Sequence, residues 1–312
     1  MSLIKNRAVL WAKQEVTYNT DPVPVTGTND FLVENLDGPK PANARAYKRS
    51  PVRPSFGKLK PIYGGHLAEV SFDVECKGSG TAGTAPEWGA VLKSCGIGET
   101  IVGGTSVTYK PISTAIPSLT LYIFRDGKRQ IMTGCRVAAL KGAVMVGEVM
   151  KLSFSFVGHH VSETDVALPT PTYDSPVPVV ALSAAVSFDS FSGIFTKIEW
   201  DAGIEIARPA SINAADGYGE IQITGRDVTG SIDIEDTLVA TYDFLTKWKN
   251  NTAFVVTTGV IGSVAGNRWQ LSFPAVTIQG QDPGDKEGLL TRDIKFNAAE
   301  STGDDEFSLV LT

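Results

Sequence analysis

The residues of this sequence that could catalyse a reaction or bind a metal are few and widely separated. Its histidines and cysteines, three of each, are His66, His159, His160, Cys76, Cys95 and Cys135. No histidine has a second ligand at helical spacing, and the adjacent His159 and His160 would point to opposite faces of a strand. The histidines are therefore interpreted as surface or strand-end residues. The sequence predicts no metal site and no cofactor.

The cysteines do not indicate nucleophilic chemistry either. An odd number at wide spacing fits neither a disulfide framework nor a zinc knuckle, which favours a reducing compartment. None has a neighbouring histidine or a helix-start setting, so they are interpreted as small buried hydrophobic residues. The sequence also contains no nucleophile elbow, no phosphate-binding glycine loop and no HExxH pattern. These observations predict that the chain is not an enzyme.

Carboxylates form a more regular pattern. They alternate with apolar residues in two segments, and the members are Glu69, Asp73, Glu75, Asp233 and Glu235. Such a set could be calcium ligands or a general acid/base pair, but alternation with apolar residues is typical of the solvated face of a strand. The sequence predicts two acidic strand faces.

One segment is strongly basic. Residues 40–60 contain no acidic residue, and five prolines between residues 39 and 61 prevent a long helix. Besides Lys40, the basic residues are Arg45, Lys48, Arg49, Arg53, Lys58 and Lys60. Two interpretations stay open: a solvated loop, or an arm that contacts an acidic neighbouring subunit through these six residues.

The elements that must position these residues occur twice. The strand at residues 70–75, followed by a short helix and a hairpin, recurs at residues 230–235 with its own helix and hairpin. Thr84 and Glu87 have capping-box spacing before the first helix. The second helix is predicted to begin at Glu235 and Asp236, with an apolar stripe of Leu238, Leu245 and Trp248.

The predicted fold class is mainly β. It consists of two tandem antiparallel β-sandwich or barrel domains, each with one flanking helix. A length of 312 residues agrees with two domains. The predicted boundaries are 1–165 for the first domain with its N-terminal arm and basic loop, 166–178 for a proline-rich linker, and 179–312 for the second domain.

Charge and hydropathy exclude some functions. The net charge of −6 is opposite in sign to that of a dedicated nucleic-acid binder. The longest apolar stretch is interrupted by prolines and is far shorter than the ~20 residues that a membrane span needs. The N-terminal apolar run falls below a secretory signal. No membrane role and no targeting signal are predicted.

The element order resembles a known family. The chain resembles the major tail tube protein of long, non-contractile-tailed bacteriophages. The resemblance rests on residues 13–22, with the sequence KQEVTYNTDP, and on the acidic-faced strand, the short helix and the long hairpin that follow. The resemblance covers both halves. It implies a structural virion protein of the tail that is assembled in the host cytoplasm, with rings that stack into a tube around a continuous inner β-barrel.

The resemblance also implies the partners. A duplicated chain would pair with itself, three copies forming a pseudo-hexameric ring, and the tube would meet tail terminator, tape measure and distal tail proteins. DNA would pass through an acidic lumen during ejection without specific binding, so the acidic strand faces are expected to line the bore. The alternative is a cell-surface β-sandwich module that binds carbohydrate or protein, which the missing signal peptide and the unpaired cysteines disfavour.

Overall fold

A computed structural model describes residues 3–312, and most of its regular structure is antiparallel β-strand. The first half contains β1 (Ala8–Gln14), β2 (Asp30–Phe31), β3 (Glu34–Ala42), β4 (Ala46–Tyr47), β5 (Ile62–Tyr63), β6 (Leu67–Glu75), α1 (Gly89–Lys93), β7 (Ile97–Val102), β8 (Ser106–Pro111), β9 (Leu119–Arg125), β10 (Lys128–Met145) and β11 (Lys151–Asp165). The second half contains β12 (Ser187–Phe188), β13 (Phe195–Asp201), β14 (Ile204–Ala207), β15 (Gln222–Arg226), β16 (Thr229–Glu235), α2 (Phe244–Lys249), β17 (Phe254–Thr257), β18 (Trp269–Lys286), β19 (Leu289–Ala298) and β20 (Ser308–Leu311). The predicted mainly β fold class is confirmed.

The two halves pair their strands in the same spatial order. In the first half the order is β3-β6-β11-β10-β9-β1. In the second half it is β13-β16-β19-β18-β17-β12. Even a bulge is repeated, between Val137 and Ala139 on β10 and between Ile278 and Gly280 on β18. Each helix lies in the chain between the same two members of this order.

The hydrophobic core follows from the alternation in the strands. Val70, Phe72 and Val74 of β6 are buried, while the residues between them face the other side of the sheet. One continuous cluster of buried side chains extends from Leu10 to Leu311. Strand β20 pairs with both β18 and β8, so the end of the chain also joins the two halves.

The helices differ from their predicted starts. Trp88 occupies the N-cap of α1 without a side-chain cap, so the predicted capping box does not form. The Glu87 carboxylate instead accepts hydrogen bonds from the backbone N–H of Leu32 and of Asp174. These longer-range partners compete successfully with the local cap.

The second helix begins nine residues later than predicted, at Phe244, because the Asp243 side chain caps it by accepting from Thr246 N at 2.9 Å. Its predicted apolar stripe is wrong. Leu238 lies outside the helix, and Leu245 and Trp248 are exposed. The Phe244 ring packs against aromatic neighbours instead and is the buried residue of the helix.

A buried carboxylate connects the N-terminal loop to the sheet. The carboxylate of Glu15 accepts hydrogen bonds from Ser118 Oγ (2.5 Å), Thr120 Oγ1 (2.6 Å), Gly134 N (2.7 Å) and Asn19 N (2.7 Å). Four donors satisfy both of its oxygens, which compensates the cost of burying the charge. This network fixes the loop that follows β1.

Replacing Glu15 by alanine is expected to lower the free energy of unfolding by at least about 3 kcal/mol, because several buried donors lose their acceptor. Glu15→Gln keeps one acceptor oxygen and should be less destabilised. The midpoint of urea unfolding measures both effects. Glu148→Ala, at an exposed carboxylate, is the control, and an equal midpoint for Glu15→Ala and Glu148→Ala would contradict the assigned role.

Candidate functional site

The most distinctive surface is one face of a sheet that both halves build together. Eight strands pair in the order β3-β6-β11-β10-β13-β16-β19-β18. Directly opposed residues lie on the same face of a sheet, so the pairings decide which side chains share a face. The five predicted acidic residues all lie on the face turned away from the core, which we call the polar face. They are Glu69, Asp73, Glu75, Asp233 and Glu235.

The polar face carries more carboxylates than lysines. Its other acidic residues by register are Glu34, Asp37, Glu199, Asp201, Asp282 and Asp293. Its basic residues are the buried Arg136 and six lysines, Lys40, Lys141, Lys151, Lys197, Lys286 and Lys295. Most of these lysines contact a carboxylate of the same face, as Lys151 does with Glu34 at 2.5 Å. The remaining carboxylates give the face a net negative charge.

The two halves meet in this sheet through a short ladder that we call the internal seam. Residues 141–145 of β10 pair antiparallel with residues 197–201 of β13. On the polar face Lys141 Nζ lies 3.0 Å from the Asp201 carboxylate. On the core side the indole of Trp200 covers Gly142, so a Cβ at this glycine would lie 2.6 Å from Trp200 Cε2. The seam therefore needs a residue without a side chain at position 142.

The eight-stranded sheet ends in two edges. Strand β3 pairs with β6 on one side and, within residues 3–312, with no strand on the other. On β18, residues 277–286 pair only with β19 in the described chain. These two edges correspond to the two strands of the internal seam. In the repeated strand order β3 occupies the same position as β13, and β18 occupies the same position as β10.

The basic segment forms a projecting hairpin. Strands β4 and β5 pair at its base, and we call residues 45–63 the basic arm. All six predicted residues, Arg45, Lys48, Arg49, Arg53, Lys58 and Lys60, are exposed. Within the described residues none of the six lies within 4.0 Å of a carboxylate. Phe56 near the tip is fully exposed.

The second half has a hairpin at the equivalent place, formed by β14, β15 and the loop between them, residues 204–226. Unlike the basic arm, it lies against the other half. Tyr218 and Ile221 are buried in a cluster with Leu67 and Val157. Asp216 binds His159 at 2.5 Å, and the guanidinium of Arg45 at the base of the basic arm lies 3.9 Å from the Tyr218 ring centroid.

Sequence reasoning missed this contact between the halves. The Tyr18 hydroxyl is hydrogen-bonded to His159 Nε2 (2.9 Å), and it accepts a hydrogen bond from the backbone N–H of Ile221 (2.8 Å). His159 is thus buried between the halves in the middle of β11, not at the surface or at a strand end as predicted. His160 lies near His66. Asp216, Tyr218 and Ile221 stand in a loop without periodicity, and no local signal marks them.

The remaining groups with reactive side chains are buried or scattered. Burial raises the pKa of the Cys76 thiol to about 12 and the pKa values of Cys95 and Cys135 well above their usual range, so these thiols stay protonated at neutral pH. Within residues 3–312 no three histidine, cysteine or acidic side chains are grouped as metal ligands would be. No described helix is long and apolar enough to cross a membrane.

Comparison with known families agrees with this architecture. The model of the phage tail tube protein family matches residues 5–298. The chain therefore belongs to the phage tail tube proteins, a structural family, and is a component of the virion tail. A comparison with characterised proteins found no match. The match confirms the predicted resemblance to tail tube proteins and favours a structural role over a cell-surface binding module.

Gly142→Ala is expected to destabilise the chain by about 1–3 kcal/mol, because the added methyl group overpacks the seam against the Trp200 indole. Thermal unfolding measures the change. Gly103→Ala is the matched control, since a Cβ there meets no atom within 4 Å. Gly142→Ala should cost less in a Trp200→Leu background than in wild type, because the smaller side chain leaves room for the methyl group. A Gly142→Ala variant as stable as Gly103→Ala would contradict the packing argument.

Proposed function

We propose that this chain assembles into closed rings that stack into the tail tube, with the polar face lining the bore. The observation that supports this most directly is the arrangement of the internal seam and the two edges. An exposed sheet edge offers unpaired N–H and C=O groups, and closure into a barrel removes it. The β3 edge of one chain can pair with the β18 edge of the next in the way that β13 pairs with β10 inside one chain.

The domain division belongs to the same proposal. Residues 1–165 and 179–312 form two tandem tube domains, and residues 166–178 connect them. The repeated pairing order supports this division, although the common core and the β8–β20 pair hold the two domains together. If six domain positions close a ring, three two-domain chains fill it.

The stagger of the strands supports closure at this size. A row of directly opposed residues across the sheet runs from Asp73 through Ser153, Lys141 and Asp201 to Thr229. The counterpart of Asp73 in the second half is Asp233, and Thr229 lies four residues before it. Crossing four strands, from β6 to β16, therefore shifts the register by four residues. At about 3.3 Å per residue and 4.8 Å per strand this corresponds to a strand tilt of about 35°.

The same geometry predicts the width of the bore. Three chains would contribute 24 strands to the barrel, whose backbone diameter at this tilt is about 45 Å. A barrel closed by the eight strands of one chain would have room only for its own side chains. A ring of three chains therefore fits a DNA conduit, and the net negative polar face would repel the phosphate backbone as it passes.

The basic arm would join neighbouring subunits. Its counterpart, residues 204–226, covers β10 and β11 of the first half. The equivalent target for the basic arm is β18 and β19 of the preceding chain. There the chain continues into an acidic segment that contains Glu300, Asp304, Asp305 and Glu306. Arg226 pairs with Asp304 and Glu306, so the segment keeps an excess of negative charge. Opposite charge favours docking of the arm on this segment, and Phe56 would be covered in the process.

The remaining partners extend the tube at its ends. Tail terminator, tape measure and distal tail proteins are the proposed contacts, DNA passes without specific binding, and assembly takes place in the host cytoplasm. This function needs mechanical stability and charge but no catalytic group, so we infer that the protein is not an enzyme.

Electron microscopy and mass measurement of purified full-length protein test the ring. We expect rings or tubes with three chains per ring. A ring of six chains, or a protein that stays monomeric at high concentration, would contradict the proposal.

Charge reversal in the basic arm is expected to block assembly. Arg49→Glu combined with Lys58→Glu should abolish rings and tubes in microscopy while leaving the thermal midpoint unchanged, because both side chains are exposed. Lys110→Glu combined with Lys249→Glu is the control of equal charge change. Normal tubes from the arm variant would remove the arm from the assembly mechanism.

Charge reversal on the polar face is expected to make assembled tubes retain DNA. Tubes of Asp73→Lys with Asp233→Lys should retard short duplex DNA in a gel at low salt and release it at high salt, since cations facing phosphate bind by counterion release. Tubes of wild type and of Asp165→Lys, which is exposed elsewhere, should not. Equal DNA retention by all three would place these aspartates outside the bore.

A further inference from the structure

The two free edges of the eight-stranded sheet carry opposite charges at positions that correspond to the internal seam. We propose that Lys40 and Glu34 on β3 of one chain pair with Asp282 and Lys286 on β18 of the next, and that these pairs select the correct neighbour. This inference rests on the proposed ring, and it adds the residues that decide which edges meet.

The first pair follows from register. Lys40 lies opposite Glu69 on β6, and Asp201 lies opposite Thr229 on β16. Glu69 and Thr229 each stand four residues before the aspartate of the repeated Asp-x-Glu segment, so Lys40 corresponds to Asp201.

The partner of Lys40 on β18 is found by the same comparison. It uses the row of directly opposed residues that begins at the aspartate of the repeated Asp-x-Glu segment. In the first half this row is Asp73, Ser153 and Lys141, and in the second half it is Asp233, Asp293 and Asp282. Asp282 therefore corresponds to Lys141. The internal seam contains the ion pair Lys141–Asp201 at 3.0 Å, and the edges contain the same pair with its signs exchanged.

The second pair is found four residues further along β18. In the internal seam Met145 lies opposite Lys197, and Lys197 lies opposite Asp233. On β3 the residue opposite Asp73 is Glu34, so Glu34 corresponds to Lys197. Lys286 corresponds to Met145 by the same count along β18. The edge contact thus acquires a pair of opposite charges where the internal seam has a methionine and a lysine.

The exchanged signs discourage wrong pairings. If β18 of one chain met β13 of another, Asp282 would face Asp201 and Lys286 would face Lys197. If β3 took the place of β13 against β10, Lys40 would face Lys141. Such like-charge contacts disfavour pairing of an edge with a seam strand, whereas the β3–β18 contact brings unlike charges together at both positions.

The edges are available for this contact. Asp282 and Lys286 are exposed, and so is Lys40. Their present contacts are within the chain: Asp282 with Lys295 at 2.6 Å, and Lys40 with Asp37. Exposed pairs of this kind contribute little to stability, so they can exchange partners at little cost. Pro39 and Pro41 lack a donor, which an edge strand tolerates, and they make the side-chain pairs more important for specificity.

Reversal and exchange of these charges tests the pairing. The variants are Lys40→Asp, Asp282→Lys and the double variant with both changes, in the full-length chain. Asp293→Lys is the matched control, because it reverses the same charge on the polar face one strand away from the edge. The amount of ring is measured by sedimentation and microscopy at low and high salt, and folding of each variant by circular dichroism.

Each single reversal is expected to reduce the assembled fraction at least about tenfold at low salt. The double variant and Asp293→Lys should assemble as wild type does. In a mixture of isotopically labelled wild type and double variant, native mass spectrometry should find separate rings, since Lys40 of wild type would face the introduced lysine at position 282.

Four results would overturn the proposal. Single reversals that assemble as well as Asp293→Lys, or a folded double variant that does not recover, would exclude the pairs while leaving the ring intact. Freely mixed rings would exclude their role in choosing the neighbour. A wild-type chain that forms no ring would overturn both this inference and the proposed function.

Discussion

Backbone pairing between β10 and β13 is the contact on which the rest of the architecture depends. An isolated four-stranded sheet leaves two edges, and a buried or partly buried edge is costly because its peptide groups lose water without gaining partners. By pairing residues 141–145 with residues 197–201, the chain removes one edge from each half. The sheet becomes continuous and its core side fuses into one hydrophobic cluster, while the outer edges of the eight-stranded sheet, at β3 and β18, stay free within residues 3–312.

The seam also shows how a duplicated chain can acquire specificity. Two halves with the same strand order could in principle pair with each other in several ways. Differences between them favour the observed pairing: Gly142 admits the Trp200 indole, and Lys141 meets Asp201. The hairpin at residues 204–226 adds a buried contact of its own through Tyr218 and Ile221. Its counterpart, the basic arm, remains exposed, so the halves are alike in topology but not in their contacts.

Charge is distributed according to the same division. The buried carboxylate of Glu15 has four donors and serves stability. The carboxylates of the polar face are only partly matched by lysines and leave a negative surface, which in the proposed tube would face DNA without retaining it. A third group, the six exposed basic residues of the arm, has no carboxylate partner within the described chain. The net charge of −6 is the sum over the whole chain and does not show that these three groups of charged residues are distinct.

What the sequence by itself determined was local and periodic. Alternation in residues 70–75 and 230–235 predicted the strands and their acidic faces, and the repeated order of strand, helix and hairpin predicted a mainly β chain with two similar halves. These features depend on neighbouring residues, so they can be read from one segment at a time. The resemblance to tail tube proteins came from that same order.

Only the tertiary structure decided which strands meet and which loops are buried. The helix starts were wrong because Glu87 bonds the distant Leu32 and Asp174, and Asp243 caps α2 instead of Glu235 or Asp236. The internal seam, the burial of His159 by Asp216, and the correspondence of Lys40 with Asp201 all join residues far apart in the chain. Such contacts depend on the relative position of whole elements, and a local pattern of residue types contains no information about that position.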